Sequence, residues 1–137
     1  MSAEPRGKDR QHKRHRAERY GRWAELLCVT RLRLSGYRVL ARRLRTPLGE
    51  IDIVARRGRV VAIVEVKARA RLDAASEALT LLQRQRLARA GAWLVAKRPG
   101  LRGCALRYDL MVVAPRRWPR HIADAWRADP RLADSGW

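Results

Sequence analysis

A chain of 137 residues with 47% hydrophobic content can bury one sizeable core and is too short for two. Its 32 Lys and Arg against 13 Asp and Glu give a formal net charge of +19, a field that attracts polyanions: nucleic acid first, with anionic membranes or ribosomes as the other takers. No run approaches the ~20 apolar residues that span a bilayer, the N-terminus lacks the apolar stretch of a secretion signal, and Cys28 and Cys104 read as free thiols of a reducing cytoplasm rather than a disulfide.

Residues 1–16, MSAEPRGKDRQHKRHR, have no apolar periodicity and a heavy positive charge. That is the pattern of a disordered arm, which either adds phosphate contacts or only solubilises. His12 and His15 do not make a metal pair among basic neighbours with no Cys or carboxylate framework beside them. From residue 17 to 34 the sequence predicts a helix with Trp23, Leu27 and Leu34 on its apolar stripe, widened by Leu26 and Cys28 and ended by Ser35-Gly36. Glu25 has two readings there: an exposed partner of Arg22, or a boundary residue beside Cys28 and Val29. A first strand is expected over Tyr37 to Leu44, then a loop over Arg45-Thr46-Pro47-Leu48-Gly49.

Ile51 to Ala55 and Val60 to Val66 read as two short apolar strands joined at Gly58-Arg59, a two-residue loop with Gly first that suits a type II′ turn. With that loop Arg57 faces Val60, and counting back sets Asp52 opposite Glu65; alternation puts Lys67 on the face of Glu65. Two facing carboxylates repel, and their apolar neighbours Ile51, Ile53, Val64 and Val66 raise the cost of ionising them. A positive group is therefore expected between them. Asp52 and Glu65 are hard oxygen donors of the kind Mg²⁺ or Mn²⁺ uses, and Lys67 could orient a water or stabilise charge on a phosphate, so the three suit phosphodiester hydrolysis. They would also suit a buried ion triad with no chemistry.

After Arg69, Asp73 is the expected N-cap of a second helix whose stripe runs through Leu79, Leu82, Leu87 and Leu94, with a break near Thr80. Arg84, Arg86 and Arg89 occupy much of its other surface, lining a phosphate groove or forming an exposed basic face. Pro99-Gly100 ends it, and Cys104 to Val113 is the fourth strand, in which Asp109 is expected to pair with Arg107 or another Arg. Residues 115–137 read as an irregular extension, with Trp118, Trp126 and Trp137 either stacking on unpaired bases or packing back on the domain.

Gly21 to Glu25, Gly49-Glu50-Ile51-Asp52, Val64-Glu65-Val66-Lys67-Ala68-Arg69 and Arg107-Tyr108-Asp109, in this order, together resemble the YraN family, an uncharacterised bacterial group assigned to the PD-(D/E)xK nuclease superfamily. Asp52 followed by Glu65-Val66-Lys67 is similar to the D…ExK signature of that superfamily. The resemblance implies an α/β, restriction-endonuclease-like α-β-β-β-α-β core over residues 17–114, with a central mixed sheet flanked by helices. It also implies that Glu25 of the first helix joins Asp52 and Glu65 at a metal site, with Lys67 as the fourth catalytic residue. The implied activity is an Mg²⁺- or Mn²⁺-dependent DNA endonuclease acting on branched or structured DNA. On the basic surface, Arg69, Arg84 and Arg86 are the residues expected on the nucleic acid. Resolvases of the superfamily act as dimers, which leaves a homodimer open. The alternative is a noncatalytic nucleic-acid-binding module, on DNA or on RNA and ribosomes, that keeps the fold. Three residues depart from the family pattern: Ala24 stands for a second Gly, Ala68 for Thr, and Gln83 where a Lys is expected. Gln83 removes a phosphate contact and leaves the metal ligands in place.

Overall fold

The computed structural model describes residues 21–70 and 79–127; the basic arm, Asp73 and Trp137 lie outside the described residues. Helix α1 (residues 21–34) leads into three strands, β1 (Arg38–Thr46), β2 (Gly49–Arg57) and β3 (Val60–Ala68). Helix α2 (Leu81–Lys97) and a short 3-10 turn (Pro99–Leu101) follow, then β4 (Ala105–Val113) and β5 (Arg120–Trp126). The strands lie side by side in chain order, β3 and β4 parallel and all other neighbours antiparallel. A parallel neighbour needs a long crossover, and the segment containing α2 supplies it. The result is an α/β fold, a five-stranded mixed sheet flanked by two helices, consistent with a restriction-endonuclease-like core.

Turn chemistry sets the register. Gly58 has φ 61° while Arg59 keeps a negative φ, the combination of a type II′ turn, and Arg57 pairs with Val60 as the loop length requires. The expected five-residue loop before β2 is shorter than its sequence suggests. β1 runs on to Thr46, which pairs with Gly49, leaving only Pro47-Leu48 as the turn. The Thr46 hydroxyl makes this possible by donating to the Gly49 carbonyl (2.6 Å) and accepting from the Leu48 N–H (3.1 Å). Gly49 itself has φ 132°, and a Cβ there would lie 2.9 Å from Cδ of Arg86, whose side chain lies over it. Gly49→Ala is expected to cost about 1–3 kcal/mol, read as a lower urea midpoint at unchanged slope.

Each helix covers one face of the sheet. α1 packs Ala24, Cys28, Val29 and Leu32 against Ile53, Ala62, Val64 and Met111. α2 packs Leu87, Ala90 and Leu94 against Val54, Ile63, Tyr108 and Val112. α1 is rotated from its predicted stripe, whereas on the second stripe Leu79, Leu87 and Leu94 are buried as expected and only Leu82 is misplaced. Trp23 is 59% exposed and Leu34 also faces solvent, because the small Ala24 and Cys28 are the residues set against the sheet. Leu82 is 78% exposed; at 100° per residue it sits about 140° around the helix from Leu87, whereas Leu94 falls within about 20° of it. α2 begins one residue after Thr80, whose hydroxyl accepts from the Gln83 N–H while the Gln83 side chain accepts from the Thr80 N–H, a complete capping box.

The segment after residue 115 is not irregular throughout. β5 closes the sheet against β4, and its Trp126 stacks on Tyr108 with ring centroids 5.7 Å apart. Trp126 therefore packs back on the domain, while Trp118 stays half exposed. Among the described residues no helix is long and apolar enough to cross a membrane.

Candidate functional site

The β2–β3 ladder keeps the predicted register from Arg57↔Val60 to Ile53↔Val64 and stops one pair short of Asp52 and Glu65. There the strands part. Asp52 turns its carboxylate into the gap and accepts the Val66 N–H at 2.8 Å, replacing a strand hydrogen bond by a side-chain one. Glu65 and Asp52 are close enough for each to influence the other's ionisation. Lys67 Nζ stands 3.3 Å from Glu65 Oε1, so a cation pairs with one of the two carboxyls. Burial, and then the neighbouring Asp52, push Glu65 up to about 7 against the opposing pull of Lys67. Asp52 is also raised, by burial above all, although the Val66 N–H works against it. Two carboxyls that resist ionisation in one place are a common mark of a functional site.

Asp52 also lines a groove of about 620 Å³ between α1 and the sheet, together with Glu25, Arg43, Arg45, Glu50 and Ala68. Glu25 is neither a surface residue nor a partner of Arg22. It is 6% exposed, and its two oxygens accept from Arg42 Nε (3.0 Å) and Arg43 Nε (2.7 Å). Alternation along β3 directs Glu65 and Lys67 to the face opposite Val66 and Ala68, so the pair with Asp52 bridges the sheet at the gap. Among the described residues no three His, Cys, Asp or Glu side chains converge as a metal-holding group. The donors that do meet, Asp52 and Glu65, are all oxygen, which fits a hard divalent cation that keeps several waters. Cys28, buried below the groove, is pushed up to about 12 by burial and then by Asp52 and Glu25, so this free thiol is inert.

The arginines expected on nucleic acid come from two places, just past the end of β3 and on helix α2. Arg69 follows β3, with its N–H on the Val113 carbonyl at 2.9 Å and its Nη1 on the Ala68 carbonyl at 2.8 Å. Arg86 is exposed over Gly49; Arg84 is half-buried, and its buried Nε has no partner among the described residues. Gln83 faces Thr80 as a cap, which gives that departure a structural use. Sequence reasoning passed over Glu50, Arg42 and Arg43. Glu50 stands in the quoted Gly49-Glu50-Ile51-Asp52 block, two residues from Asp52, and the Arg42-Arg43 doublet in a strand was the other available signal.

At the far end of the groove face, Asp109 is fully buried (0% exposed) and pairs with Arg107 as expected: Nε to Oδ1 at 2.8 Å and Nη2 to Oδ2 at 2.7 Å. His121 Nε2 lies 2.7 Å from Oδ2, and the Asp124 N–H donates to Oδ1 at 3.0 Å. Arg107 also donates to the Tyr37 hydroxyl, tying β4 and β5 to the start of β1. Every hydrogen-bonding edge of this carboxylate is occupied by the protein, which makes it a structural centre.

The family described as "Uncharacterised protein family UPF0102" matches residues 24–113, from the first turn of α1 to the end of β4. A UPF0102 protein of Parvibaculum lavamentivorans is 59% identical over 111 residues, covering 81% of this chain and 84% of that protein. One of Paramagnetospirillum magneticum is 54% identical over 117 residues (82% and 91%), and one of Caulobacter sp. strain K31 is 55% identical over 106 (77% and 76%). The match takes in the Glu25 turn of α1, the parted hairpin and the Asp109 strand, and on that ground the chain belongs to the UPF0102 family, the YraN group that its motifs resemble.

Proposed function

We propose that this protein is a divalent-metal-dependent endonuclease that hydrolyses phosphodiester bonds in branched or otherwise structured DNA. One observation carries the reading: Asp52 and Glu65 meet where β2 leaves β3, with the Lys67 ammonium 3.3 Å from Glu65. Stability gives no reason for such a pair, since facing, partly buried carboxyls oppose folding and a buried ion triad seldom offsets its desolvation. Asp52 and Glu65 would hold Mg²⁺ or Mn²⁺. Glu25 stands as the third ligand that the resemblance implies, and with both oxygens already accepting from arginine it is the least available of the three. When bound, such an ion polarises a phosphate oxygen and lowers the pKa of a water on it. The chain's own groups do the rest: the Val66 N–H fixes one oxygen of Asp52, and Lys67 faces the charge that develops on the phosphorus oxygens. The basic surface draws in the backbone, and a reducing cytoplasm suits the two free cysteines.

The test uses the purified full chain with linear, single-stranded and four-way-junction DNA and Mg²⁺ or Mn²⁺. Cleavage of the structured substrate is expected, and EDTA should stop it; a wild-type chain that cuts none of the three sinks the reading. The engagement of Glu25 by two arginines favours a second reading, a noncatalytic nucleic-acid-binding module. Salt-sensitive binding with no cleavage in either metal would select it, and competition between DNA and RNA would rank its partners.

A further inference from the structure

We infer that Arg42 and Arg43, set in place by Glu25, form a clamp for a backbone phosphate of the nucleic acid beside the groove that Arg43 and Asp52 line. The identity of the ligand rests on the endonuclease reading, which the clamp deepens by locating where the strand is held. Consecutive residues of a regular strand point to opposite faces. Arg42 pairs with Ile53 and Leu44 with Ile51, so Arg43 sits across from Asp52. Arg43 has φ 49°, a left-handed conformation that a side chain with a Cβ rarely adopts. That turn of the backbone lets both guanidiniums reach one carboxylate: Arg42 Nε donates to Glu25 Oε1 at 3.0 Å, and Arg43 Nε to Oε2 at 2.7 Å.

Each arginine uses only Nε in these bonds. Among the described residues neither guanidinium makes another hydrogen bond, and both side chains are nearly half exposed while Glu25 is buried. Their remaining N–H groups form two planar forks held at a fixed spacing, the geometry that binds phosphate bidentately. Among the described residues Glu25 is the one carboxylate in direct contact with the two guanidiniums, Glu50 and Asp52 acting on Arg43 only through space, so N–H donors remain for the phosphodiester. Stability does not account for the arrangement. Ion pairs to exposed arginines add little, and a left-handed residue and a buried carboxylate both oppose folding. Backbone strain of this kind persists at sites where geometry has a use. In the clamp Glu25 is a positioning residue acting through the arginines, the role that its two engaged oxygens favour over that of metal ligand.

The test is binding of labelled junction DNA in EDTA, followed by fluorescence anisotropy across a salt series, with thermal melts to monitor folding. Arg43→Asn keeps a residue tolerant of left-handed backbone, and Arg42→Gln keeps a polar chain. Together they are expected to weaken binding roughly ten- to hundredfold at about 0.1 M salt and make the log–log salt slope shallower by about 1–2. Glu25→Gln should change affinity in the wild-type background and have no effect in the double-arginine variant, the mark of a residue acting through its partners. A folded double variant with wild-type affinity and slope overturns the clamp, and an equal effect of Glu25→Gln in both backgrounds overturns the positioning role. A wild-type chain that binds no DNA overturns both the clamp and the endonuclease reading. Loss of binding in the double variant alongside a wild type that never cleaves in metal leaves the clamp standing and removes only the endonuclease.

Discussion

Glu65→Ala is expected to lower metal-dependent cleavage of junction DNA by about 10²–10⁴-fold, the loss that follows when several kcal/mol of charge stabilisation leave the transition state. Lys67→Ala should cost about 10²–10³-fold, the usual effect of removing one group aimed at developing charge. Glu65→Ala is not expected to weaken binding in EDTA, because it removes a negative charge and no donor to phosphate. The two substitutions are expected to differ in stability. Glu65→Gln removes one of two facing carboxylates while keeping an acceptor for Lys67, so the metal-free protein should melt at a higher temperature than wild type. Removing Lys67 takes away the cation that opposes the repulsion, and its melt should fall. Cleavage equal in Glu65→Ala and wild type, or a lower melt for Glu65→Gln, would show that the pair does not work as described.

Asp109→Ala is expected to remove about 3–5 kcal/mol of stability, because it leaves Arg107 without its partner inside the fold. That is a large share of the ~5–15 kcal/mol typical of a domain this size, and urea unfolding followed by Trp fluorescence would read it. The loss has a defined pH dependence. Burial alone would push Asp109 up, but hydrogen bonds from His121, Arg107 and the Asp124 N–H outweigh it and hold the carboxyl below its usual range. A carboxyl whose folded pKa is depressed contributes stability above its unfolded pKa and loses it as pH falls through the folded value. The penalty of Asp109→Ala should therefore be steady above about pH 5 and shrink below about pH 4. A penalty under about 1 kcal/mol at neutral pH would mean that the pair contributes far less than its geometry indicates.

What could be read from the sequence was governed by local chemistry. A two-residue turn with Gly first leaves one register, so the facing of Arg57 and Val60 followed from counting, although the ladder ends at Ile53 and Val64, one pair short of Asp52 and Glu65. Arg107 and Asp109, two apart on one strand face, could hardly avoid each other. Helix rotation was different. α1 offers overlapping apolar stripes, and only the sheet beneath it decides between Trp23 and Ala24. Glu25 illustrates the same limit: its helical neighbour Arg22 was the visible candidate, yet its partners come from residues 17 and 18 positions away in sequence. Their convergence depends on the φ of Arg43, which no pattern announces for an arginine. β5 escaped notice because its alternation is broken at Asp124, where φ is 52°.

Both outer strands of the sheet are interrupted, β1 between Val39 and Ala41 and β5 opposite the stretch from Tyr108 to Leu110. An unbroken edge is a template on which a second molecule can add a strand. Here one edge is bent and bears Arg38, Arg42, Arg43 and Arg45, and the other is bent around the buried Asp109. The sheet thus ends with the molecule. Among the described residues neither edge is an unbroken template, so both are poor starting points for an amyloid-like stack at high concentration.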